Sequence, residues 1–237
     1  MTGALPDRAR SWAKTAGTTR PAGVGAWRRT LDVVAAGIGL ALLAPLLGTI
    51  AAAVKATSRG PVLFRQTRLS GGRREFTILK FRTMAANQSG PEITATGDAR
   101  ITTVGAFLRR THLDELPQLV NVLRGDMTLV GPRPETPALA ARYPHQCQWV
   151  LEHQPGITGP TQVRERDFND IPVDALDPEQ WYLEHLVPQR VVMDATYLSL
   201  PTVAATFRVL FDTAAHLVSR EPAASAAGEP PAVQSPP

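Results

Sequence analysis

Apolar residues are concentrated in one long run near the start of the chain. From residue 31 to residue 54 nearly every position is Ala, Val, Leu, Ile or Gly, with Asp32 at its start and Pro45 near its middle. A helix needs about 20 apolar residues to cross a lipid bilayer. The run therefore predicts a membrane helix, and its length alone favours a single transmembrane anchor.

The charges around this run favour a different path. Arg28 and Arg29 precede it and basic residues also follow it, so the positive-inside tendency draws both ends toward the cytoplasm. Proline inside a helix removes a hydrogen bond and clashes with the preceding turn. We therefore predict a re-entrant helix over residues 27–58 that enters one leaflet, breaks at Ala44-Pro45 and returns.

Strand and helix patterns follow this run, between residues 59 and 218. Residues 76–82 alternate between apolar and polar side chains, which is typical of a strand and places Lys80 and Arg82 on the same face. Two cations side by side at the end of a strand are suited to a phosphate. The basic residues of this part of the chain would also suit anionic lipid headgroups.

Helical periodicity is clearest over residues 113–125 (LDELPQLVNVLRG), where Gly125 suits the end of a helix. Proline is tolerated only in a first turn, so we predict that this helix begins at Asp114 and Glu115, with Pro117 just inside. An ionised Asp there can attack phosphorus, and the adjacent Glu can hold Mg²⁺ or move a proton. Capping of the helix is the simpler interpretation, and the residues alone favour it.

One arginine lies between two prolines in the segment 131–134 (GPRP). Pro132 and Pro134 stiffen the backbone, so the guanidinium of Arg133 suits a phosphate or a nucleobase, although a surface turn explains the same pattern. Nearer the C-terminus, residues 191–218 are moderately apolar but are interrupted by charged residues and a proline. That segment fits interfacial helices and core helices equally well.

Composition adds a preference for anionic partners. The formal net charge is +4 and the sequence pI is about 9.7, which suits nucleic acid, anionic lipid or a phosphorylated substrate. Residues 1–26 lack an apolar period, and residues 219–237 are rich in Pro, Ala and Ser. We predict that both tails are disordered.

Eight short motifs resemble, in order, those of the bacterial sugar transferase family, the monotopic phosphoglycosyl transferases. The resemblance covers residues 28–213, and its motifs are RRTLD at 28–32, GPVLFRQ at 60–66, KFRTM at 80–84, DARIT at 98–102, LDELPQL at 113–119, GDM at 125–127, GPRP at 131–134 and PGITG at 155–159. So many blocks in the family's order favour catalysis over capping for Asp114 and Glu115. His112 departs from the family, which commonly has a small hydroxyl residue there.

The resemblance implies an α+β, mainly helical fold, with a cytosolic catalytic domain over residues 59–218 that has short strands. It also implies an enzyme of the inner membrane whose catalytic domain faces the cytoplasm. Asp114 is then the nucleophile that attacks the β-phosphate of a UDP-sugar and carries the phosphosugar until polyprenyl (undecaprenyl) phosphate accepts it. The resemblance implies further roles: Mg²⁺ at Asp114 and Glu115, with Glu115 as metal partner or base, phosphate contacts at Lys80 and Arg82, and a nucleotide contact at Arg133 with Pro132 and Pro134. This reaction is the first membrane step of exopolysaccharide, capsule or glycoconjugate assembly.

Other functions predict different properties. A catalytically silent membrane scaffold for glycan-assembly partners would have the same fold, but the presence of Lys80, Asp114, Glu115 and Arg133 argues against it. A basic nucleic-acid binder would leave the apolar run unexplained, and we see no recognition motif for nucleic acid. The identity of the sugar and the oligomeric state, for which a homodimer is one option, stay open.

Overall fold

The computed structural model describes residues 25–85, 98–164, 177–199 and 201–218. The tails predicted to be disordered, 1–26 and 219–237, lie outside these ranges except for residues 25 and 26. Within the described ranges the chain is mainly helical and has four short strands, which confirms the predicted composition of secondary structure.

The N-terminal apolar run forms one helix, α1, at Ala26–Thr57. Among the described helices it alone is long and apolar enough to cross a membrane by length and composition. Helical backbone continues through the predicted break at Ala44-Pro45, and a change of direction of the helix at this point stays a prediction. Proline removes one hydrogen bond, while the flanking Ala and Leu residues, which are strong helix formers, preserve the turns around it.

Two antiparallel strands follow α1. Strand β1 is Leu63–Leu69 and strand β2 is Glu75–Phe81, and their register places Leu63 opposite Phe81. A 3₁₀ turn at Gly71–Arg73 connects them. The predicted strand over residues 76–82 is therefore confirmed to within one residue at each end.

The middle of the chain alternates short helices with a two-stranded parallel sheet. Its elements are α2 at Thr103–Thr111, α3 at Gln118–Arg124, β3 at Thr128–Val130, α4 at Pro137–Ala141, a 3₁₀ segment at His145–Glu152, β4 at Gly156–Thr158 and α5 at Pro160–Arg164. Strands β3 and β4 pair in parallel, with Val130 opposite Thr158.

The C-terminal helices divide between the core and the surface. Helix α6 at Pro178–Trp181 continues through a π-helical turn at Tyr182–Leu186 into α7 at Val187–Ser199, and α8 follows at Val203–Val218. Helix α7 buries residues such as Val191, whereas α8 exposes Val203, Phe207 and Phe211. Of the two interpretations of residues 191–218, core packing therefore describes α7, and an exposed apolar face describes α8.

Both ends of α1 pack against the rest of the fold. Ala36 joins a buried cluster with Phe76, Ile78, Val122 and Met127. Nearer the C-terminal end of the helix, Ile50 and Val54 join a second cluster with Phe81 and Leu108. A fully buried aliphatic side chain contributes about 1.5 to 3 kcal/mol, so these contacts hold α1 along the domain.

Four charged side chains attach α1 to the domain, and we call Arg28, Arg29, Asp32 and Arg82 the helix seat. Arg28 donates to the carbonyl of Val130 at 2.7 Å. Arg29 donates to the last carbonyls of α3, those of Val122 and Leu123, at 2.6 and 2.7 Å. Asp32 accepts from the backbone N–H of Leu129 at 2.9 Å and from the hydroxyl of Thr128 at 2.7 Å.

Arg82 completes the helix seat at the other end of α1. Its guanidinium donates to the carbonyl and the hydroxyl oxygen of Ser58, both at 2.8 Å, and to the carbonyl of Pro61. The side chain is 6% exposed. Because carbonyl groups near a helix C-terminus lack partners within the helix, a buried guanidinium there stabilises the turn that leaves α1.

Candidate active site

The acidic pair lies in a tight turn between two helices. Helix α2 ends at His112, which has a left-handed backbone (φ 55°), and a 3₁₀ turn at Leu113–Glu115 follows. Helix α3 begins only at Gln118, after Pro117. The predicted helix start at Asp114 is therefore wrong by one turn, because the chain closes a separate 3₁₀ turn before the proline, whereas the predicted end at Gly125 is confirmed.

The carboxyl group of Asp114 is buried and has little contact with water. The residue is 8% exposed. Burial, reinforced by the charge of Glu115, raises the pKa of Asp114 to about 6, against the opposing charges of Lys80 and Arg109. At neutral pH this carboxylate is ionised but weakly solvated, which is the condition of an activated oxygen nucleophile.

Glu115 forms an ion pair with Lys80, the residue predicted on the neighbouring strand. Lys80 Nζ lies 2.6 Å from Glu115 Oε1, and the two side chains are 21% and 22% exposed. Burial would raise the pKa of Glu115, but the positive charges of Lys80 and Arg133 outweigh it and lower that pKa below its usual range. Glu115 is therefore held ionised beside Asp114.

Arg133 is an exposed residue in a largely buried loop near the acidic pair. Its charge acts on Glu115, so the structure brings the GPRP segment to the acidic pair. The carbonyl of Pro132 accepts from the N–H of Gly156 at 2.9 Å, and the carbonyl of Pro134 accepts from Arg68 at 3.2 Å. We call the four residues Lys80, Asp114, Glu115 and Arg133 the acidic site.

The glycines of the PGITG motif allow two backbones to approach closely. A Cβ atom placed on Gly156 or Gly159 would overlap the backbone of Gly131, and one on Gly131 would lie 2.6 Å from the carbonyl oxygen of Gln154. These glycines therefore let the loop that carries Arg133 lie directly against strand β4.

Arg82 is the predicted phosphate contact that lies apart from the acidic pair. It follows Lys80 by two residues, yet its guanidinium is engaged with the backbone at Ser58 and Pro61. The strand ends at Phe81, so the alternation that would place both cations on one face does not extend to Arg82. In this structure Arg82 belongs to the helix seat.

Arg109 is a neighbour of the site that the sequence pattern did not single out. Its charge acts on Asp114, and its Nε donates to the hydroxyl of Thr83 at 2.8 Å. Burial lowers the pKa of Arg109 from its ordinary high value. The left-handed backbone of His112, which no pattern in the sequence marks, turns the chain between Arg109 and Asp114.

The acidic pair is suited to a magnesium ion that also binds a phosphate. Among the described residues no group of three or more His, Cys, Asp or Glu side chains forms a complete protein site. Mg²⁺ typically takes one or two carboxylates and completes its shell with water and substrate phosphates. Two adjacent carboxylates, one with a pKa raised by burial, are a donor set whose charge such a cation would neutralise.

Comparison with known proteins shows the family of this chain. Residues 24–220 match the family described as "Bacterial sugar transferase". The chain is 40% identical over 200 residues to a UDP-glucose:undecaprenyl-phosphate glucose-1-phosphate transferase of Caulobacter vibrioides, covering 82% of this chain and 70% of that protein.

Two other relatives differ in length. A UDP-N-acetylgalactosamine-undecaprenyl-phosphate N-acetylgalactosaminephosphotransferase of Aeromonas hydrophila is 41% identical over 57% of this chain, which spans 33% of that protein. The exopolysaccharide production protein ExoY of Rhizobium meliloti is 38% identical over 65% of this chain and 75% of its own length. The match over residues 24–220 includes both the helix seat and the acidic site. This chain belongs to the bacterial sugar transferase family.

Proposed function

We propose that this protein transfers a sugar 1-phosphate from a UDP-sugar to polyprenyl phosphate through a covalent intermediate on Asp114. The observation that carries the proposal is a buried carboxylate beside the Lys80–Glu115 ion pair, with Arg133 acting on the same glutamate. The substrates are taken from the names of the Caulobacter and Aeromonas relatives, which both act on undecaprenyl phosphate. Family membership and charge geometry thus support the same reaction.

In the first step a carboxylate oxygen of Asp114 attacks the β-phosphorus of the donor. A bond forms between that oxygen and phosphorus, and the bond from phosphorus to the oxygen that bridges the two phosphates breaks. UMP departs with the bonding electron pair, and the phosphosugar stays on Asp114. The reaction needs an ionised nucleophile, which Asp114 is above a pH of about 6.

In the second step polyprenyl phosphate takes the phosphosugar. An oxygen of its phosphate attacks the same phosphorus, and the bond to the Asp114 oxygen breaks. The products are the polyprenyl diphosphate sugar and a regenerated carboxylate. Both steps therefore exchange one phosphorus–oxygen bond for another and need no oxidant or reductant.

The cations of the acidic site neutralise charge where anions meet. Lys80 orients Glu115 through its 2.6 Å contact, and Arg133 faces the donor from the loop beside it. Mg²⁺ held by Asp114 and Glu115 would supply charge neutralisation on the diphosphate. Positioning and electrostatic stabilisation are the main contributions of protein groups to phosphoryl transfer.

We further propose that α1 is re-entrant and that the domain faces the cytoplasm. A helix that crossed the bilayer would place its ends on opposite sides, whereas Arg28 and Ser58, near the two ends of α1, contact the same domain. The middle of α1 presents apolar side chains away from the domain, with Val34, Ile38 and Leu42 at 51%, 56% and 75% exposure. This arrangement keeps the acceptor's phosphate and the acidic site at one membrane face.

The test uses membranes from cells that express the full chain. Purified membranes are incubated with polyprenyl phosphate, Mg²⁺ and a panel of labelled UDP-sugars, and labelled lipid is extracted. We expect label from at least one donor, none after chelation of Mg²⁺, and a loss of more than about a thousandfold in Asp114→Asn. An absence of labelled lipid with every donor would contradict the proposal and support the scaffold function.

A further inference from the structure

A buried network lies directly behind the arginine of the acidic site. Glu135, two residues after Arg133, is 5% exposed. Its Oε1 accepts a hydrogen bond from the hydroxyl of Tyr182 at 2.5 Å and another from the hydroxyl of Tyr143 at 2.9 Å. A carboxylate removed from water is stabilised only when its oxygens have such partners, so these two tyrosines fix the position of Glu135.

Tyr182 connects this carboxylate to a cation on α7. Arg190 Nη1 donates to the Tyr182 hydroxyl at 2.7 Å, and the guanidinium lies 4.9 Å from the centre of the Tyr182 ring. Burial and the charge of Glu135 raise the pKa of Tyr182, so its hydroxyl stays protonated and donates a hydrogen bond to the carboxylate. The result is a chain of groups from Arg190 to Glu135.

The backbone of Tyr182 belongs to an unusual element. It begins the π-helical turn Tyr182–Leu186 between α6 and α7. Single π-helical turns are rare and are frequent at functional sites, because they move one side chain out of the regular helical register. Here the turn directs the Tyr182 hydroxyl to Glu135.

Hydrogen bonds to three of its carbonyl groups hold the loop that carries Arg133. The carbonyls of Pro132, Pro134 and Glu135 accept from Gly156 N–H, Arg68 Nη1 and Leu69 N–H at 2.9, 3.2 and 2.9 Å. The buried Glu135 carboxylate also anchors this segment, and its Oε2 lies 3.9 Å from Arg68 Nη1. A small cavity beside the loop is lined by Pro132, Arg133, Glu135, Tyr143 and Arg190, among other residues.

The charge of Arg133 reaches both the acidic pair and this network. It lowers the pKa of Glu115, and it also acts on Tyr182. The guanidinium of Arg133 is therefore within electrostatic reach of both the acidic pair and the groups that hold its own loop. Movement of Glu135 would move the guanidinium relative to Asp114.

We propose that Glu135, anchored by Tyr143 and Tyr182, is a positioning residue that holds Arg133 in place for the donor's diphosphate. The inference rests on the proposed function, in which Arg133 contacts the nucleotide donor. Displacement of a substrate-positioning group by about 1 Å is enough to weaken a reaction severely. Loss of an anchor should therefore raise the KM for the UDP-sugar and leave the KM for polyprenyl phosphate unchanged.

The experiment is a double-mutant cycle on the purified full chain. Tyr182→Phe, Arg133→Ala and the combined variant are assayed at varied UDP-sugar and at varied polyprenyl phosphate. We expect Tyr182→Phe to raise the KM for the donor about tenfold, the size of one lost hydrogen bond. In the Arg133→Ala background the same change should add less than about twofold, because the group that it positions is absent.

Tyr197→Phe is the matched control. Tyr197 is also a buried tyrosine whose hydroxyl is hydrogen-bonded, to Thr206 at 2.8 Å, but it lies outside the network. We expect its donor KM to stay within about twofold of that of the wild-type chain. Thermal unfolding of each variant separates lost positioning from lost folding.

The outcomes separate this inference from the proposed function. If the wild-type chain makes no labelled lipid with any donor, the proposed function fails. If the wild-type chain makes labelled lipid, two results would show that the positioning role is wrong. One is an unchanged donor KM in Tyr182→Phe, and the other is a rise in donor KM that is as large in the Arg133→Ala background as in the wild-type chain. Glu135→Gln gives a second cycle with the same expectations should Tyr182→Phe not fold, and failure of both variants to fold would make the network a core element and overturn the proposal.

Discussion

The helix seat and the acidic site use the same kinds of charged residue in opposite ways. In the helix seat, Arg28 and Arg82 are 9% and 6% exposed and donate to backbone carbonyls. In the acidic site, Lys80 and Glu115 contact each other and stay about one fifth exposed. The first set stabilises the attachment of α1, and the second keeps its charge within reach of a ligand.

Lys80 and Arg82 make this contrast sharpest, since they are two residues apart. Lys80 pairs with the carboxylate of Glu115, and Arg82 donates to backbone carbonyls at the C-terminal end of α1. A charged residue near a predicted active site therefore acquires its function from its partner. The comparison predicts that the two positions respond differently to the same substitution.

The larger of the effects expected at these two positions is on catalysis, at Lys80. We expect Lys80→Met to lower turnover by about a hundredfold or more, because it removes a cation next to the diphosphate and leaves Glu115 without its partner. Unfolding in urea should change by less than about 1 kcal/mol, because the ion pair is partly exposed. Lipid labelling and urea titration of one preparation measure both, and unchanged turnover would remove Lys80 from the mechanism.

The next effect is on stability, at Arg82. We expect Arg82→Met to lower the free energy of unfolding by about 3 kcal/mol, since it leaves the buried carbonyls near Ser58 and Pro61 without a donor. Turnover per folded molecule should fall by less than about threefold. A hundredfold loss of turnover in a stable protein would instead place Arg82 at the substrate phosphate, as first predicted from the strand pattern.

A smaller effect, of opposite sign, is expected at Asp114. Burial raises its folded pKa to about 6 from an ordinary value of 3.8, so the ionised carboxylate destabilises the fold. This cost is absent below a pH of about 4, grows until about 6 and is complete above it. Asp114→Asn should therefore stabilise the metal-free protein by about 1 to 3 kcal/mol at pH 7.

The same substitution should change stability by less than about 1 kcal/mol at pH 4, where the folded carboxyl group is protonated and the unfolded one, with its ordinary pKa of 3.8, is only partly ionised. Urea unfolding of both proteins at pH 4 and pH 7, in the presence of a chelator, measures the difference. Equal stabilities at pH 7 would mean that Asp114 is solvated and unactivated. Such a result would remove the contrast between the acidic site, where a buried charge destabilises the fold, and the helix seat, where the charged groups have hydrogen-bond partners.

Local features of this fold were predictable from the sequence. The alternation over residues 76–82 predicted strand β2, and Gly125 predicted the end of α3. The acidic pair, Lys80 and Arg133 were identified before the structure, which brings their charges together. The predictions of the strand and of the helix end succeed because each depends on short-range backbone preferences. The roles of the four site residues come from motifs shared with a family and stay predictions.

Features that depend on distant partners were not predictable. Glu135 and Tyr182 are 47 residues apart, and no local pattern relates them. Helical backbone continues through Pro45 because strong helix formers lie on both sides of it, which the rule for proline alone does not include. Arg82 was assigned to phosphate because its carbonyl partners, 21 to 28 residues earlier, carry no signal in their side chains.

The most direct test of the account is the mass of the protein quenched during reaction with its donor. Full-length protein is mixed with Mg²⁺ and UDP-sugar in the absence of polyprenyl phosphate, denatured with acid and digested. The account predicts one added sugar phosphate on the peptide that contains Asp114, lost when polyprenyl phosphate is supplied. Labelled lipid formed by a protein that carries no adduct, or by Asp114→Asn at an undiminished rate, would contradict it.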